Sequence, residues 1–161
     1  MTPILRPPLS SDYAALVSWI PDATACARWA GPRLKFPFTA VELPELLRVK
    51  LGQSYGLAAA DGPLLGFGQF WVRDETTAHL GRIIISPGER GRRLGGILCA
   101  ALIAKAVEET RAAKITLRVY RDNPAALSVY TKLGFRVVDA ESNAETLAME
   151  AIPNPRLRTA S

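Results

Sequence analysis

A short basic segment, residues 90–96, contains the residue types and spacing most suited to binding a ligand. The segment reads Arg90, Gly91, Arg92, Arg93, Leu94, Gly95 and Gly96, and an apolar run follows it. The first turn of a helix offers free backbone N–H groups and the positive end of the helix dipole, and glycine lets a ligand approach the backbone closely. The pattern therefore predicts a phosphate-binding loop, with a solvated basic loop as the equal alternative.

Several other chemistries are disfavoured by missing motifs. Neither the GxxxxGK[ST] string of P-loop proteins nor the GxGxxG string of dinucleotide-binding domains occurs, which disfavours ATP and NAD as ligands of the loop. A structural zinc site is disfavoured as well, because Cys26 and Cys99 form no CxxC pair and His79 is the only histidine. We therefore expect no metal.

Hydrophobic periodicity predicts the elements that position the loop. An apolar stretch at residues 77–86 leads into it as a strand, and residues 94–102 place apolar side chains at i, i+3 and i+4, the spacing of a helix. Residues 114–120 alternate between apolar and polar side chains and predict another strand. The turn Asp61-Gly62 predicts a hairpin of strands at residues 55–60 and 64–73.

The remaining segments complete the predicted order of elements. We predict a strand at residues 3–6, helices at residues 10–20 and 39–51, a helix at residues 123–133 that ends at Gly134, and strands at residues 135–140 and 146–152. Residues 22–38 form an aromatic-rich connector. The order β, α, α, three strands, α, β, α, β, β predicts an α+β domain with a mixed sheet.

Length and composition define the class of protein. A chain of 161 residues that is 48% hydrophobic and 22% charged is typical of one folded domain and excludes a disordered chain. Its longest apolar run, residues 95–104, is half the roughly 20 residues of a membrane-spanning helix, and the N-terminus lacks a secretory signal. We therefore expect a cytoplasmic protein without a membrane partner. The net charge of +5 permits nucleic-acid binding, but no binding motif accompanies it, and we expect no nucleic-acid partner.

Two segments resemble motifs of the GNAT family of N-acetyltransferases. Residues 90–95 resemble the family's pyrophosphate motif, which reads Arg or Gln, two residues, Gly, one residue, then Gly or Ala; Arg93 stands where the family usually has its first motif glycine. Residues 123–135 resemble the family's Asn…Ala…Tyr…Gly-Phe segment. The two motifs occur in the family's order, and the resemblance extends over residues 4–152, with nothing specific matched in residues 21–55.

The resemblance implies the fold and the co-substrate. It implies an α+β, GNAT-like single domain with a mixed, mostly antiparallel central sheet of about six or seven strands, splayed in the middle, with helices on both faces. The acyl-CoA N-acyltransferase domain would span residues 1–161, with a core at residues 1–152 and a flexible tail at residues 153–161. Acetyl-CoA is the implied co-substrate. Dimers are common in the family, so a homodimer and a monomer both stay open.

The resemblance also implies how acetyl-CoA is held. Backbone groups of Ile83 and Ile85 would bond the pantetheine arm, N–H groups of residues 91–96 would hold the pyrophosphate, and Asn123 would contact the arm near its sulfur. The full implied set is Ile83, Ile84, Ile85, Arg90, Gly91, Arg92, Arg93, Leu94, Gly95, Gly96, Asn123, Ala126 and Tyr130. We expect Arg93 to have an ordinary φ and a side chain directed away from the pyrophosphate, with the ribose 3′-phosphate as its hypothetical partner.

The resemblance implies two residues for proton transfer. Tyr130 occupies the position that donates a proton to the leaving thiolate in many family members; the alternative is that it only packs on its helix. His79 occupies the position of the base carboxylate in histone-type members and is expected to titrate near neutrality; the alternative is a hydrogen-bonded structural histidine. Asp74 and Glu75 fall in the preceding turn, too far along the strand to serve.

The acceptor is the least defined part of the expected reaction. Trp29, Phe36 and Trp71 are expected to line its pocket, and a small-molecule amine is the leading hypothesis. A peptide or protein amine, and a catalytically silent CoA-binding sensor, are the alternatives. Arg118 disfavours a ribosomal-protein N-terminal acetyltransferase, because that subfamily carries a glutamate base at the matching position. The acceptor's identity and the length of the acyl group stay open.

Overall fold

Residues 2–154 of the computed structural model form seven strands and five helices. Strand β1 (Ile4–Arg6) comes first and is followed by helices α1 (Ser10–Trp19), α2 (Ala23–Ala30) and α3 (Leu43–Leu46). The second half contains, in order, β2 (Gly52–Ala58), β3 (Leu64–Val72), β4 (Thr77–Ile85), α4 (Leu94–Thr110), β5 (Lys114–Tyr120), α5 (Pro124–Lys132), β6 (Arg136–Val137) and β7 (Thr146–Ala151). The tail expected at residues 153–161 lies almost entirely outside the described residues, and the extent of the single domain stays a prediction.

All the strands belong to one mixed sheet with the order β1-β2-β3-β4-β5-β7-β6. Neighbouring strands are antiparallel except β4 and β5, which run parallel. A parallel pair needs a long crossover connection, and α4 supplies it between β4 and β5. The mixed, mostly antiparallel α+β fold expected from the sequence is therefore confirmed.

Strands β4 and β5 separate after a short paired stretch. Within residues 2–154 they pair only at Thr77 with Lys114, Ala78 with Ile115, and His79 with Thr116. β4 then continues to Ile85 beside β3, and β5 continues to Tyr120 beside β7. The sheet is therefore splayed in the middle, and a cleft opens between residues 80–85 and residues 117–120.

Helices cover both faces of the sheet and bury two groups of apolar side chains. On one face α4 packs against β3 and β4, and its Leu98 and Leu102 are fully buried. On the other face the second core contains Leu16 of α1, Leu43 of α3 and Phe67 of β3. The i, i+3, i+4 pattern thus predicted the burial of Leu94, Leu98 and Leu102 correctly, whereas Ile97 of the same predicted face is exposed. No helix within residues 2–154 is long and apolar enough to cross a membrane.

The helix predicted at residues 39–51 is wrong in its length. Thr39 and Glu42 form the reciprocal capping hydrogen bonds of a helix start, with nitrogen–oxygen distances of 3.0 and 3.2 Å, but α3 contains only four residues. The carbonyl group of Leu47 then accepts a hydrogen bond from the buried side-chain amide of Gln69 at 2.5 Å. This tertiary contact and the left-handed φ of Leu51, 54°, redirect the chain into β2.

The strand predicted at residues 135–140 is also shorter in the structure. β6 contains two residues, and residues 139–141 form a 3₁₀ turn. The hydroxyl group of Ser142 donates to the Val138 carbonyl at 2.9 Å and accepts from the Ala148 N–H at 2.9 Å. The serine side chain therefore takes the place of a strand pairing partner and turns the chain toward β7.

Candidate active site

A β-bulge in β4 lies beside the cleft. The β3–β4 register places Phe67 opposite Ile84 but Gln69 opposite Gly81, so β4 contains one more residue than β3 across this stretch. Arg82 accommodates the extra residue in the left-handed region, with a φ of 51°. The bulge therefore turns peptide groups of β4 away from pairing with β3.

Buried polar contacts hold the bulge in place. The carbonyl oxygen of Arg82 accepts a hydrogen bond from the indole nitrogen of Trp29 in α2 at 2.8 Å, and its guanidinium donates to Gln69 Oε1 at 2.8 Å. Gln69 Nε2 donates to the Leu47 carbonyl at 2.5 Å and to the Ser54 hydroxyl at 2.8 Å. Because Gln69 is fully buried and its amide is bonded through both atoms, the bulge is firmly joined to the segments around it.

The sequence interpretation missed Arg82 and Gln69 as site residues. A left-handed arginine has no sequence signature, but a glycine inside an apolar strand often marks a bulge, and Gly81 was available as that signal. Gly81 also gives room to the ring of Trp71, since an added Cβ would lie 2.3 Å from Trp71 Cη2. The glycine therefore serves both the bulge and the aromatic packing next to it.

Replacing Gly81 by alanine is expected to displace the Trp71 indole and to destabilise the protein by about 1–3 kcal/mol, the usual cost of overpacking. The added methyl group would overlap a rigid ring rather than the end of a flexible side chain. Urea denaturation measures the loss of stability, and tryptophan fluorescence reports the moved indole. Gly88→Ala is the matched control, because a Cβ at Gly88 meets nothing within 4 Å. Equal stabilities of the two variants would contradict the close Gly81–Trp71 contact.

The basic loop ends at the N-terminus of α4. Gly91 has a φ of 84°, and Arg93, the N-cap residue, has a φ of 63°. Arg93 makes no side-chain cap hydrogen bond, so the first N–H groups of α4 are not capped by it. A Cβ added at Gly91 or Gly95 would meet nothing within 4 Å, which leaves open space at these donors. Free donors next to open space are what a phosphate group requires.

The ordinary φ expected for Arg93 is wrong. In the left-handed region the Cβ of an L-residue crowds the following carbonyl group, at a cost of about 1–2 kcal/mol. The side chain of Arg93 is exposed, while the neighbouring Arg92 pairs with Glu89 at 3.0 Å. Arg93 thus keeps the backbone conformation that suits a glycine at this motif position and adds a solvent-facing positive charge.

Replacing Arg93 by glycine is expected to raise the free energy of unfolding by about 0.5–1 kcal/mol. Relief of left-handed strain, about 1–2 kcal/mol, outweighs the additional entropy of glycine in the unfolded chain, about 0.5–1 kcal/mol. Urea or thermal unfolding measures the difference. Arg92→Gly is the control, since Arg92 is not among the positive-φ residues. If both variants were stabilised equally, the left-handed conformation of Arg93 would not be the cause.

Asn123 and Tyr130 lie on the opposite side of the cleft, at α5. Asn123 is the N-cap residue of α5, and its Oδ1 accepts a hydrogen bond from the Ala126 N–H at 3.2 Å. Tyr130 is buried, in the same core cluster as Cys99 of α4. Burial raises the pKa of the Tyr130 phenol, and the proximity of Cys99 raises it further. The phenol therefore stays protonated and available as a hydrogen-bond donor.

The cleft brings together side chains from β4, β5 and α5. From the set expected to bind a cofactor, its lining contains Ile83, Asn123, Ala126 and Tyr130. Ile84 instead packs against the second core, so its side chain does not face the cleft. The basic loop follows directly on β4 and extends this side of the cleft toward α4.

A larger pocket of about 620 Å³ continues from the cleft and shares lining residues of α2, β4 and β5 with it. We name it the basic pocket, because four arginines line it: Arg28, Arg33, Arg82 and Arg118. Trp29 and Trp71, both expected to contact an acceptor, are part of its lining. Phe36 is not, since its ring packs 5.9 Å from that of Phe38 at the second core.

His79 lies where β4 and β5 separate, on the wall of the basic pocket. Its Nδ1 is 2.8 Å from Thr116 Oγ1, and its ring centroid is 5.0 Å from that of Trp71. Burial lowers the pKa of His79 from 6.5 to about 4, and the positive charges of Arg73 and Arg118 lower it as well. The titration near neutrality expected from the sequence is therefore wrong, and His79 is neutral at neutral pH.

Comparison with known proteins assigns the chain to a family. The chain belongs to the acetyltransferase (GNAT) family, whose sequence model matches residues 19–135. Among curated proteins, the mycothiol acetyltransferase of Tsukamurella paurometabola is 37% identical to it over 95 residues, which are 57% of this chain and 32% of that protein. The chain thus spans about a third of the length of this relative.

Solved structures of similar fold cover nearly the whole chain. The spermidine N-acetyltransferase from Vibrio cholerae in complex with CoA and spermine has a TM-score of 0.71 at 19% identity, covering 94% of this chain and 95% of that one. AAC(6')-Ib in complex with paromomycin and acetyl-CoA has a TM-score of 0.73 at 19% identity, covering 100% and 99%. The PaiA N-acetyltransferase from Thermoplasma acidophilum in complex with coenzyme A has a TM-score of 0.70 at 21% identity, covering 95% and 100%. At such identities the likeness concerns the fold.

Proposed function

We propose that this protein is an acetyl-CoA-dependent N-acetyltransferase whose acceptor is a small-molecule amine. The observation that carries the proposal is the splay of β4 and β5, which opens beside a β-bulge and leads to the uncapped N-terminus of α4. Membership of the acetyltransferase family supports the reaction. The small amine named as substrate of a similar fold, spermidine, supports the size of the acceptor.

The residues around the cleft fit acetyl-CoA. The first N–H groups of α4, with open space at Gly95, suit the pyrophosphate, and the backbone of β4 beyond His79 has no partner on β5 within the described residues. Amide groups of a pantetheine arm match such unpaired backbone groups. Acetyl-CoA would supply an activated thioester that an amine can attack. Ile83 and Tyr130 would lie at the acetyl end of the cleft.

The bulge and the two proton-transfer residues have complementary roles in the proposed reaction. Arg82 and Ile83 lie at the bulge, where the β3–β4 register pairs neither with a residue of β3, and their backbone N–H groups would donate to the carbonyl oxygen as negative charge develops. The Tyr130 phenol would donate a hydrogen bond to the leaving sulfur, whose thiol has an ordinary pKa near 8.5. Neutral His79 would accept the proton of the amine, directly or through water.

Positive charge next to His79 also assists deprotonation of the acceptor. An alkyl amine with a pKa near 10.4 is only about one part in a thousand neutral at physiological pH. Arg118, which lowers the pKa of His79, disfavours the ammonium form of an amine beside His79 in the same way. The amine is therefore bound more readily in the form that can react.

Thermal unfolding with and without acetyl-CoA tests the cofactor site. Ligand at about 100 times its dissociation constant should add about 2.7 kcal/mol and raise the melting temperature by about 5–10 °C. In Gly95→Glu this shift should be lost, because a carboxylate at the N-terminus of α4 repels a pyrophosphate while leaving the helix intact. Gly88→Glu is the matched control, as both glycines have open space for a side chain.

Release of the CoA thiol in the presence of amines tests the reaction itself. Turnover with small amines and not with peptides is the expected result. If only peptides were acetylated, the acceptor would be a peptide or protein amine and not a small-molecule amine. A melting shift that Gly95→Glu removes, without transfer to any amine, would identify a CoA-binding sensor and overturn the enzymatic proposal.

A further inference from the structure

The basic pocket has an excess of positive charge that the proposed reaction does not require. Its lining contains the four arginines named above and one carboxylate, Glu145. Of these arginines, only Arg28 has a carboxylate partner recorded in the described residues, Asp122 at 2.7 Å. The pocket thus contains guanidinium groups whose charge is not balanced by a neighbouring acid.

The contacts of two of these arginines show why their charge stays available. The guanidinium of Arg82 donates to the neutral side-chain amide of Gln69 at 2.8 Å. That of Arg118 donates to the Thr146 hydroxyl at 2.9 Å and to the backbone carbonyl of Glu141 at 2.6 Å. Neutral acceptors orient a guanidinium without cancelling its charge, so both groups present a fixed positive charge to the pocket.

The positive region extends beyond the basic pocket. A neighbouring pocket of about 610 Å³ shares Arg33, Trp71 and Arg82 with it. This second pocket adds Lys50 and Arg48, of which Arg48 pairs with Glu45 at 3.2 Å, and its lining contains no carboxylate. Arg33 and Arg82 each line both pockets, so the two cations lie at the junction of the pockets. Two adjacent cations between two pockets form a site that attracts an anion.

We propose that the acceptor is an amine that carries an anionic group, a carboxylate or a phosphate, elsewhere in the same molecule. The anionic group binds the cations at the junction of the two pockets, Arg33 and Arg82. The amine then reaches toward His79 and the bulge, where the proposed acetyl transfer takes place. This inference rests on the proposed function and specifies its substrate class, and it excludes polycations such as the spermidine named for a similar fold.

The reaction with such an acceptor balances without a further reagent. The nitrogen of the neutral amine forms a bond to the acetyl carbon, and the carbon–sulfur bond breaks with its electron pair leaving on sulfur. One proton leaves the nitrogen through His79 or water, and the sulfur gains one proton, so the products are an amide and the CoA thiol. The anionic group takes no part in these steps and acts only in binding.

A series of aminobutyl compounds tests the substrate class. The members share the same reacting amine and differ at the other end: a carboxylate in δ-aminovalerate, a carboxamide in δ-aminovaleramide, a phosphate in aminobutyl phosphate, a hydroxyl in aminobutanol and an ammonium in putrescine. We measure kcat/KM from release of the CoA thiol, and equilibrium binding from tryptophan fluorescence, to which Trp29 and Trp71 in the pocket lining contribute. The carboxylate and phosphate members distinguish the two sources of negative charge.

The expected result is that at least one anionic member exceeds its neutral partner by about tenfold or more in both kcat/KM and binding, with putrescine weakest. Added salt should narrow the difference. Equal or higher values for the neutral members or for putrescine would overturn the inference while leaving the proposed acetyl transfer intact. Without any transfer, the proposed function fails, and the binding series still decides whether the pocket prefers anionic amines.

A pair of variants tests the assigned residue. Arg33→Gln should raise KM for the preferred anionic member by about tenfold and leave that for aminobutanol unchanged, because Arg33 is exposed, lines both pockets and contacts only the anionic end. Lys35→Gln removes the same charge from the same segment but lies outside both linings. An equal effect of the two changes would show that net charge alone matters and would overturn the assignment.

Discussion

Replacing Tyr130 by phenylalanine is expected to lower kcat by about 10²-fold, the lower end of the range for loss of a group that assists proton transfer. The change removes one hydroxyl group from a residue that lines the cleft where the leaving sulfur would lie. Because burial and Cys99 raise the phenol pKa, the hydroxyl donates a hydrogen bond at all working pH values. Steady-state kinetics with acetyl-CoA and any accepted amine measures the effect.

Cys99→Ala separates this role from simple packing. It shortens a side chain of the core cluster that contains Tyr130 and leaves the Tyr130 hydroxyl itself. We therefore expect Cys99→Ala to lose stability, as a buried side chain is shortened, and to keep most of its kcat. Tyr130 would have only the packing role if Tyr130→Phe and Cys99→Ala lowered kcat equally. The same would follow if Tyr130→Phe lowered the stability of the protein and left kcat unchanged.

Acid is expected to destabilise the protein through His79. The unfolded chain binds a proton below the ordinary pKa of 6.5, whereas folded His79 binds it only near pH 4. The contribution of neutral His79 to the free energy of unfolding is therefore fully present above pH 6.5 and is lost as the pH falls toward 4. Between pH 7 and pH 4.5 the loss should be about 2–3 kcal/mol. Urea denaturation of the protein and of His79→Gln at both pH values measures the loss of stability that is due to His79. The other titratable groups contribute equally to the two proteins and cancel in the comparison.

The same variant examines the proton relay. With its pKa near 4, His79 as a base would give kcat/KM an acid limb near pH 4 rather than near 6.5. In His79→Gln that limb should vanish and the rate at neutral pH should fall. An unchanged pH–rate profile would assign His79 a structural role beside Thr116 and Trp71. If His79→Gln lost as much stability as the unchanged protein between the two pH values, the burial of His79 as a neutral group would be contradicted.

Elements fixed by local pattern were predicted well. The apolar face of α4 follows from the spacing of Leu98 and Leu102, and the start of α5 follows from the capping side chain of Asn123. Both features depend on residues within a few positions of each other. The length of the helix after Thr39 was predicted wrongly because its end depends on Gln69, 22 residues from its partner Leu47.

Only those residues of the candidate site that belong to a recognisable sequence motif could be predicted from the sequence. Tyr130 and Asn123 were proposed through their resemblance to a family, and residues 90–96 through both their spacing and that resemblance, whereas Arg82 was not proposed. The left-handed conformation of Arg82 is held by Trp29, 53 residues away in the chain, and such a contact leaves no mark in the local sequence. The acidic pKa of His79 likewise depends on burial and on arginines brought together by folding. Charge in the basic pocket is therefore a property of the fold rather than of any one segment.

The separation of β4 from β5 places two strand edges in the interior of the sheet rather than at its ends. Exposed edges can pair with other chains and favour aggregation, and proteins usually shield them. Here no third strand within residues 2–154 fills the gap beyond His79 and Thr116. A bound molecule with amide groups would therefore connect the two strand edges by hydrogen bonds in addition to taking part in the reaction. In the free protein the edges of β4 and β5 are unpaired beyond His79 and Thr116, and bound acetyl-CoA would cover them.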